Sequence, residues 1–158
     1  MRQYAAPLRP DLKLCDIADV AQETWAHLES ARMGRRASLT PHASDGHQEC
    51  TADRFMIEQV FRNIFENSLA ACPDAVEITV EWERVGESLK IVVRDNGPGL
   101  SPEQRLRIFE PFYATKTRGT GLGMTLVQRI VQAHGGSIRV GEGPGGVIIV
   151  EMPQALSR

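Results

Sequence analysis

Four kinds of group in this chain could do chemistry together: a carboxylate, two side-chain amides, a lysine and a run of backbone amides. Asp95 sits in Arg94-Asp95-Asn96-Gly97-Pro98-Gly99, where a β-branched run ends among glycines. A carboxylate held there can accept a hydrogen bond from an exocyclic amine. Further along, Gly119-Thr120-Gly121-Leu122-Gly123 opens a second segment of helical pattern. Backbone N–H groups at a helix N-terminus can hold phosphates. The two together could grip both ends of a nucleotide. Each also has a plainer reading. Asp95 could close an Asx turn in which Gly97 and Gly99 supply positive φ. The glycine run could be a hinge, since it lacks the Gly-Lys-Ser or Gly-Lys-Thr ending of a P-loop.

The amides are Asn63 and Asn67, spaced i, i+4 on one predicted helix. At about 100° per residue, Asn67 falls within the apolar sector of Met56, Ile57, Val60, Ile64 and Ser68, and Asn63 falls at its edge. A buried amide needs partners, from nearby backbone or from a ligand. Two stacked on the same side point toward a polar site, and amide oxygens are hard donors suited to Mg²⁺. Glu66 lies off this sector, on the rim or facing solvent. Between the glycine runs stands Ile108-Phe109-Glu110-Pro111-Phe112-Tyr113-Ala114-Thr115-Lys116. Its aromatics would anchor an otherwise loose loop, and Lys116 and Arg118 could reach a phosphate at the following glycines.

These groups need elements to position them. Residues 1–10, with Pro7 and Pro10, read as an extended linker. Asp16 caps a helix predicted to run to about Met33, with Ile17, Val20, Ala21, Trp25 and Leu28 on one side and Gly34 as its stop. A strand over 36–42 and a loop or hairpin turn over 43–48 follow. The helix carrying Asn63 and Asn67 begins near Asp53 and ends by Cys72, because Pro73 cannot continue it. Residues 75–84 and 88–94 form an antiparallel hairpin, with Trp82 on a covered face. The stretch 96–123 is a long, mostly irregular excursion of the kind that is usually functional. A helix over 125–134, closed by Gly135-Gly136, leads to strands 137–140 and 147–152 around a Gly-Pro-Gly-Gly turn. Helices grouped with hairpins give an α+β two-layer sandwich.

With 158 residues, 42% hydrophobic and 24% charged, the chain can bury a core. A net charge of −2 gives no electrostatic case for nucleic acid or an anionic membrane. Lysine is scarce, occurring only at Lys13, Lys90 and Lys116, which makes one beside a glycine loop informative. Cys15, Cys50 and Cys72 are odd in number and in no metal-ligand spacing, so they read as free thiols in a reducing compartment. No apolar run approaches the roughly 18 residues of a membrane span. His27, His42 and His47 show no neighbouring carboxylate pattern, and His134 reads as a structural residue at a helix end.

The order of these elements resembles the catalytic and ATP-binding domain of bacterial sensor histidine kinases, within the gyrase, chaperone, kinase and mismatch-repair ATPase superfamily. Asn63-Ile-Phe-Glu-Asn67 matches the N box, Asp95-Asn-Gly97-Pro-Gly99 the first glycine box, Phe109-Glu-Pro-Phe112 the F box, and Gly119-Thr120-Gly121-Leu122-Gly123 the second glycine box. The Phe-Tyr-Ala-Thr-Lys run is most similar to nitrogen-regulator-type kinases with a short lid. The resemblance implies a Bergerat-type fold, a mixed and largely antiparallel sheet with three helices on one face, over residues 11–153, with 154–158 as a tail. It implies ATP and Mg²⁺ as cofactors, with Asn67 on the metal and Asn63 on metal or phosphate. Asp95 would accept from the adenine amino group, while Gly97 and Gly99 shape the pocket and hinge the lid. Phe109 and Phe112 would anchor the lid. Lys116, with the segment Gly119 to Gly123, would hold the β- and γ-phosphates, and Asn63 and Lys116 carry the catalytic assignment.

Two departures are visible. Val147 stands where many relatives have a threonine that helps bind adenine, and Ser68 stands where alanine is usual. None of the four histidines has the acid and proline context of a phosphoacceptor. The acceptor is therefore expected on a separate helical hairpin, whose exit residues 1–10 resemble, and the chain reads as a fragment of a longer cytoplasmic or membrane-anchored protein. A response regulator would be the indirect partner. Two alternatives remain: an anti-sigma-type serine kinase and a non-catalytic nucleotide-binding regulatory module. A gyrase-like ATPase would place a glutamate where Asn63 stands.

Overall fold

Alternation of apolar and polar residues dictates the sheet. In the computed structural model, which describes residues 7–44, 46–113 and 123–154, β4 (Val76–Val85) buries Val76, Ile78, Val80 and Trp82 on one face. Its antiparallel partner β5 (Ser88–Asp95) buries Leu89, Ile91 and Val93 in the same way. The period of 2 sends these side chains to one side and Glu77, Thr79, Glu81 and Glu83 to the other. Strand β7 (Val147–Pro153) pairs antiparallel with β5, and β6 (Ser137–Val140) pairs antiparallel with β7. Strand β2 (Ala37–Ala43) closes the other edge, parallel to β4. The order of the mixed, mostly antiparallel five-stranded sheet is β2-β4-β5-β7-β6.

Three helices bring their apolar sides to this sheet. They are α1 (Ile17–His27), α2 (Arg54–Ala71) and α4 (Gly123–Ala133). Asp16 caps α1 by accepting from the Asp19 N–H at 3.0 Å, and Asp53 caps α2 by accepting from the Met56 N–H at 3.1 Å. Phe61, Phe65 and Trp25 fill the layer between α1 and α2 through one stacked and one edge-to-face pair. Trp82 is 2% exposed, and its indole N–H donates to the His47 carbonyl. The α+β two-layer sandwich expected from the sequence is the observed architecture.

Several elements differ from expectation. The first helix stops at His27, and a 3₁₀ turn over Ser30–Arg32 carries the chain to Gly34, whose φ is +76°. Two short strands, β1 (Lys13–Asp16) and β3 (Glu49–Ala52), form a separate antiparallel pair. They lie in stretches to which no element was assigned, after the linker and after the 43–48 loop, and four residues carry too little pattern to be recognised. A short helix α3 (Pro102–Arg107) interrupts the excursion after β5, fixed by a capping box between Ser101 and Gln104. Gln154, expected to begin a tail, is 6% exposed. Its side chain accepts from the Thr51 N–H, and its own N–H donates to the Glu87 carbonyl. Among the described residues no helix is long and apolar enough to cross a membrane.

Candidate nucleotide-binding site

Asp95 is the last residue of β5, and three donors fix its carboxylate. The Ser68 hydroxyl donates to Oδ2 at 2.7 Å, and the Gly97 and Gly146 N–H groups donate to Oδ1 at 3.0 and 2.8 Å. The Asp95 N–H donates in turn to the Gly146 carbonyl at 2.9 Å. A carboxylate offers about four lone-pair sites, so these contacts leave room for about one more donor. That is the capacity an exocyclic amine needs. The Asx-turn bond to Gly97 is present, and it leaves the carboxylate capacity for a further donor.

The surroundings refine what the sequence suggested. Gly99 adopts φ +81°, whereas Gly97 does not adopt a positive φ. Gly97 is required for space instead, since a Cβ there would lie 2.5 Å from Cys72 Sγ and 3.3 Å from Asp95 Oδ1. The residue standing against the carboxylate is Gly146, which immediately precedes β7, not Val147. A Cβ on Gly146 would lie 2.8 Å from Oδ2, while Val147 is buried with its Cγ1 toward Gly141. Ser68, read from sequence as a small departure, supplies a direct bond to Asp95. Cys72 lies beside the same carboxylate, and its thiol is pushed up to about 12, by burial first and by Asp95 second. Arg35 holds this end of α2 in place, donating to the carbonyls of Leu69 and Cys72 and to Asp74.

Asn63 and Asn67 occupy the same helix as Ser68. Asn63 lies five residues before Ser68, about 7.5 Å along the axis. Its Nδ2 donates to the Gln59 carbonyl at 2.8 Å, which turns Oδ1 outward. A Cβ on Gly123, the first residue of α4, would meet that Oδ1 at 2.8 Å. The N-terminus of α4, where N–H groups lack helical partners, therefore abuts Asn63. Asn67 is exposed rather than buried, because no described element packs over its part of the α2 surface. No hydrogen bond among the described residues engages its side chain. An exposed, unengaged amide oxygen fits a cation that takes its other ligands from phosphates and water. The described residues contain no cluster of three or more His, Cys, Asp or Glu that could hold a metal without such help.

Among the described residues of the loop between the glycine boxes, the first aromatic, Phe109, packs against the core and Phe112 does not. Ile108 and Phe109 pack against the core, and the Phe109 carbonyl accepts from Thr125 on α4 at 3.0 Å. Phe112 is 75% exposed with φ +63°, so the turn after Pro111 directs its ring to solvent and it does not serve as the second anchor. Arg107 stacks on Tyr113 and pairs with Glu103 and Glu110. Lys116, Gly119, Thr120, Gly121 and Leu122 lie outside the described residues.

His134 is structural, as expected. Its Nδ1 meets the Ile130 carbonyl, and its Nε2 accepts from the Asp53 N–H, joining α4 to the α2 cap. His27 does have a carboxylate partner, Glu58 of α2 at 2.6 Å, a pairing made by tertiary packing on an exposed surface. Glu66 faces solvent and pairs with Arg62.

Comparison with known proteins agrees with this geometry. Residues 52–156 match the family of histidine kinase-, DNA gyrase B- and HSP90-like ATPases. The chain is 36% identical over 158 residues to the sensor histidine kinase ZraS of Escherichia coli, covering 99% of this chain and 34% of ZraS. The chain spans only 13% to 34% of the length of the curated relatives it matches. The catalytic domain of the histidine kinase ThkA superposes with a TM-score of 0.80 at 27% identity, covering 91% of this chain and 96% of that one. Full-length ShkA in complex with AMPPNP superposes with a TM-score of 0.84 at 26% identity, covering 97% of this chain and 33% of that one. The fold, the carboxylate cradle and these likenesses agree, and the chain belongs to the histidine kinase-, DNA gyrase B- and HSP90-like ATPase family and is similar to the catalytic domains of sensor histidine kinases.

Proposed function

We propose that the chain binds Mg·ATP and presents its γ-phosphoryl group to a histidine on a separate helical hairpin of a two-component sensor kinase. The observation that carries this reading is the arrangement along α2. Ser68 orients the Asp95 carboxylate at one point, and Asn63 meets the start of α4 about 7.5 Å away. Base recognition and phosphate binding are thereby registered on one rigid element. The AMPPNP in the ShkA structure supports an adenine nucleotide as the occupant.

In this reading Asp95 accepts from the adenine amino group, and Gly97 and Gly99 shape the surrounding pocket. Asn63, Lys116 and the segment Gly119 to Gly123 hold the phosphates. Asn67 would hold Mg²⁺, which would supply neutralisation of the phosphate charge. Phosphoryl transfer asks for positioning and charge neutralisation more than for covalent help. That demand suits a site built from backbone N–H groups and amides. Residues 1–10 would lead from the hairpin, and a response regulator would receive the phosphoryl group afterwards in the cytoplasm.

Transfer of label from γ-labelled ATP to an added histidine hairpin tests the proposal, and label on the histidine is the expected result. Nucleotide binding without transfer would favour the regulatory-module reading, and label on a serine the anti-sigma reading. Titrating Mg·ATP against wild type and Asn67→Ala tests the metal role, with affinity expected to fall about tenfold, as for loss of one charge-assisted contact. Equal binding by the two proteins would remove Asn67 from the metal.

A further inference from the structure

Away from the nucleotide site, the small β1–β3 sheet carries a pair of nucleophiles that the proposed function does not use. Cys15 and Cys50 are direct partners in the antiparallel ladder, with their sulfurs 3.8 Å apart. Cα atoms of such partners lie about 4.5–5.5 Å apart, within the span that a disulfide bridges. Residues directly opposite also share a face, so closing the bond needs side-chain rotation and little backbone movement. Cys50 is 2% exposed in the core. Cys15 is half-buried and opens on a cleft of about 490 Å³ that is also lined by Leu14, Asp53, Arg54 and Phe55. One thiol is reachable and its partner is sheltered.

We propose that Cys15 and Cys50 form a redox modification site, at which a small disulfide of the glutathione class is reduced as the two thiols close a cross-strand disulfide. The hydrogen bond from Cys50, helped by the Arg54 charge, holds the Cys15 thiol below its ordinary value against burial and the charges of Asp16 and Asp53. The same hydrogen bond, with burial next, pushes Cys50 up. Cys15 is therefore the attacking thiolate. It attacks one sulfur of oxidised glutathione, the S–S bond breaks, and glutathione leaves as a thiolate. In the mixed disulfide Cys15 Sγ is uncharged, which removes the hydrogen bond and the charge that held the Cys50 proton. Cys50 then gives its proton to water or to the departed thiolate and attacks Cys15 Sγ, releasing the second glutathione. Two protein thiols become one disulfide and one small disulfide becomes two thiols, so electrons and protons balance.

The bond would lock the strand through which the chain enters the domain. That strand already sits beside the α2 cap, where the Asp11 N–H donates to Asp53 Oδ2 and Leu8 packs on the core. Cys72 is the internal control, since it is buried with its proton held tightly.

The test exposes the folded chain to oxidised glutathione and maps the peptides by mass spectrometry without reduction. The expected product is a Cys15–Cys50 linked peptide in a protein lighter by two hydrogens, reversed by dithiothreitol, with Cys72 still a thiol and the oxidised form melting higher. Cys15→Ser should show no adduct at Cys50, and Cys50→Ala should stop at a stable glutathione adduct on Cys15. Wild type and the half-exposed Cys15→Ser decide the matter even if Cys50→Ala fails to fold. Folded wild type that resists oxidation, reacts first at Cys72, or halts as a Cys15 adduct overturns the proposal.

Discussion

Replacing Asp95 by asparagine isolates the base-recognition argument, because the surrounding hydrogen bonds dictate how the new amide sits. Oδ1 accepts from two backbone N–H groups, Gly97 and Gly146, that cannot turn away. An Nδ2 placed there would face two donors, so the amide oxygen takes the Oδ1 position. Nδ2 then occupies the Oδ2 position, where the Ser68 hydroxyl can rotate from donating to accepting. The cradle survives, with its two backbone bonds weakened from charge-assisted to neutral. That change costs about 1 kcal/mol of stability, a Tm shift of about 2–4 °C for a domain of this size. At the free edge an acceptor has become a donor, and the adenine amino group now meets an N–H. Losing a hydrogen bond to a charged acceptor is worth about 1.5–3 kcal/mol, or roughly a 10- to 150-fold loss of ATP affinity. A 6-oxo purine meets no such clash, so the preference for ATP over GTP should shrink by a comparable factor. Calorimetric titration of both nucleotides against wild type and Asp95→Asn, with melting curves to confirm folding, measures it. An unchanged ATP-to-GTP ratio in a folded variant refutes the assignment of Asp95 to adenine.

Ser68→Ala removes a buried donor from Asp95 Oδ2 and should weaken ATP binding about 5- to 20-fold while Asp95 keeps its backbone donors, as a nucleotide titration would read. Gly97→Ala should be destabilised in urea melts by about 1–3 kcal/mol, because its Cβ would lie 2.5 Å from Cys72 Sγ. Adding Cys72→Ala should restore much of that loss, and simple additivity of the two changes would contradict the contact. Alkaline stability tests the Cys72 environment. Its thiol is raised from 9.0 to about 12, so the folded state keeps a proton that the unfolded chain has released, and the stabilisation is complete below pH 9.0 and declines toward pH 12. Cys50, also raised, acts with the same sign. Stability measured across that window should fall less steeply in Cys72→Ala, and identical slopes would show that the thiol is not held as described.

What the sequence made legible follows from the range over which each signal acts. Period-2 alternation in β4 and β5, the cap Asp16 and the start of α2 at Asp53 act within a few residues, and the structure bears them out, whereas the first helix ends at His27, short of Gly34. Features set by packing between distant segments were hidden. Ser68 reaches Asp95 only because α2 lies across β4, which pairs with β5, a relation 27 residues apart in the chain. The position facing the carboxylate just before β7 is decided by the β5–β7 register, in which Arg94 pairs with Val147 and the Asp95 N–H finds the Gly146 carbonyl. A shift of one residue exchanges the two faces of a strand. The motif reading at Val147 concerned a side chain toward adenine, and it gave no sign that the backbone of the preceding Gly146 would bind Asp95. Asn67 shows the converse, since its angle on the helix was read correctly and its burial was not. A helical wheel gives direction only, and whether anything lies in that direction depends on the rest of the fold. In the proposed function the open direction is the one that serves the metal. A core packed over Asn67 would stabilise the helix and close the place where the proposed cation would bind, so an exposed amide next in sequence to the serine that holds Asp95 is what the proposed function asks of α2.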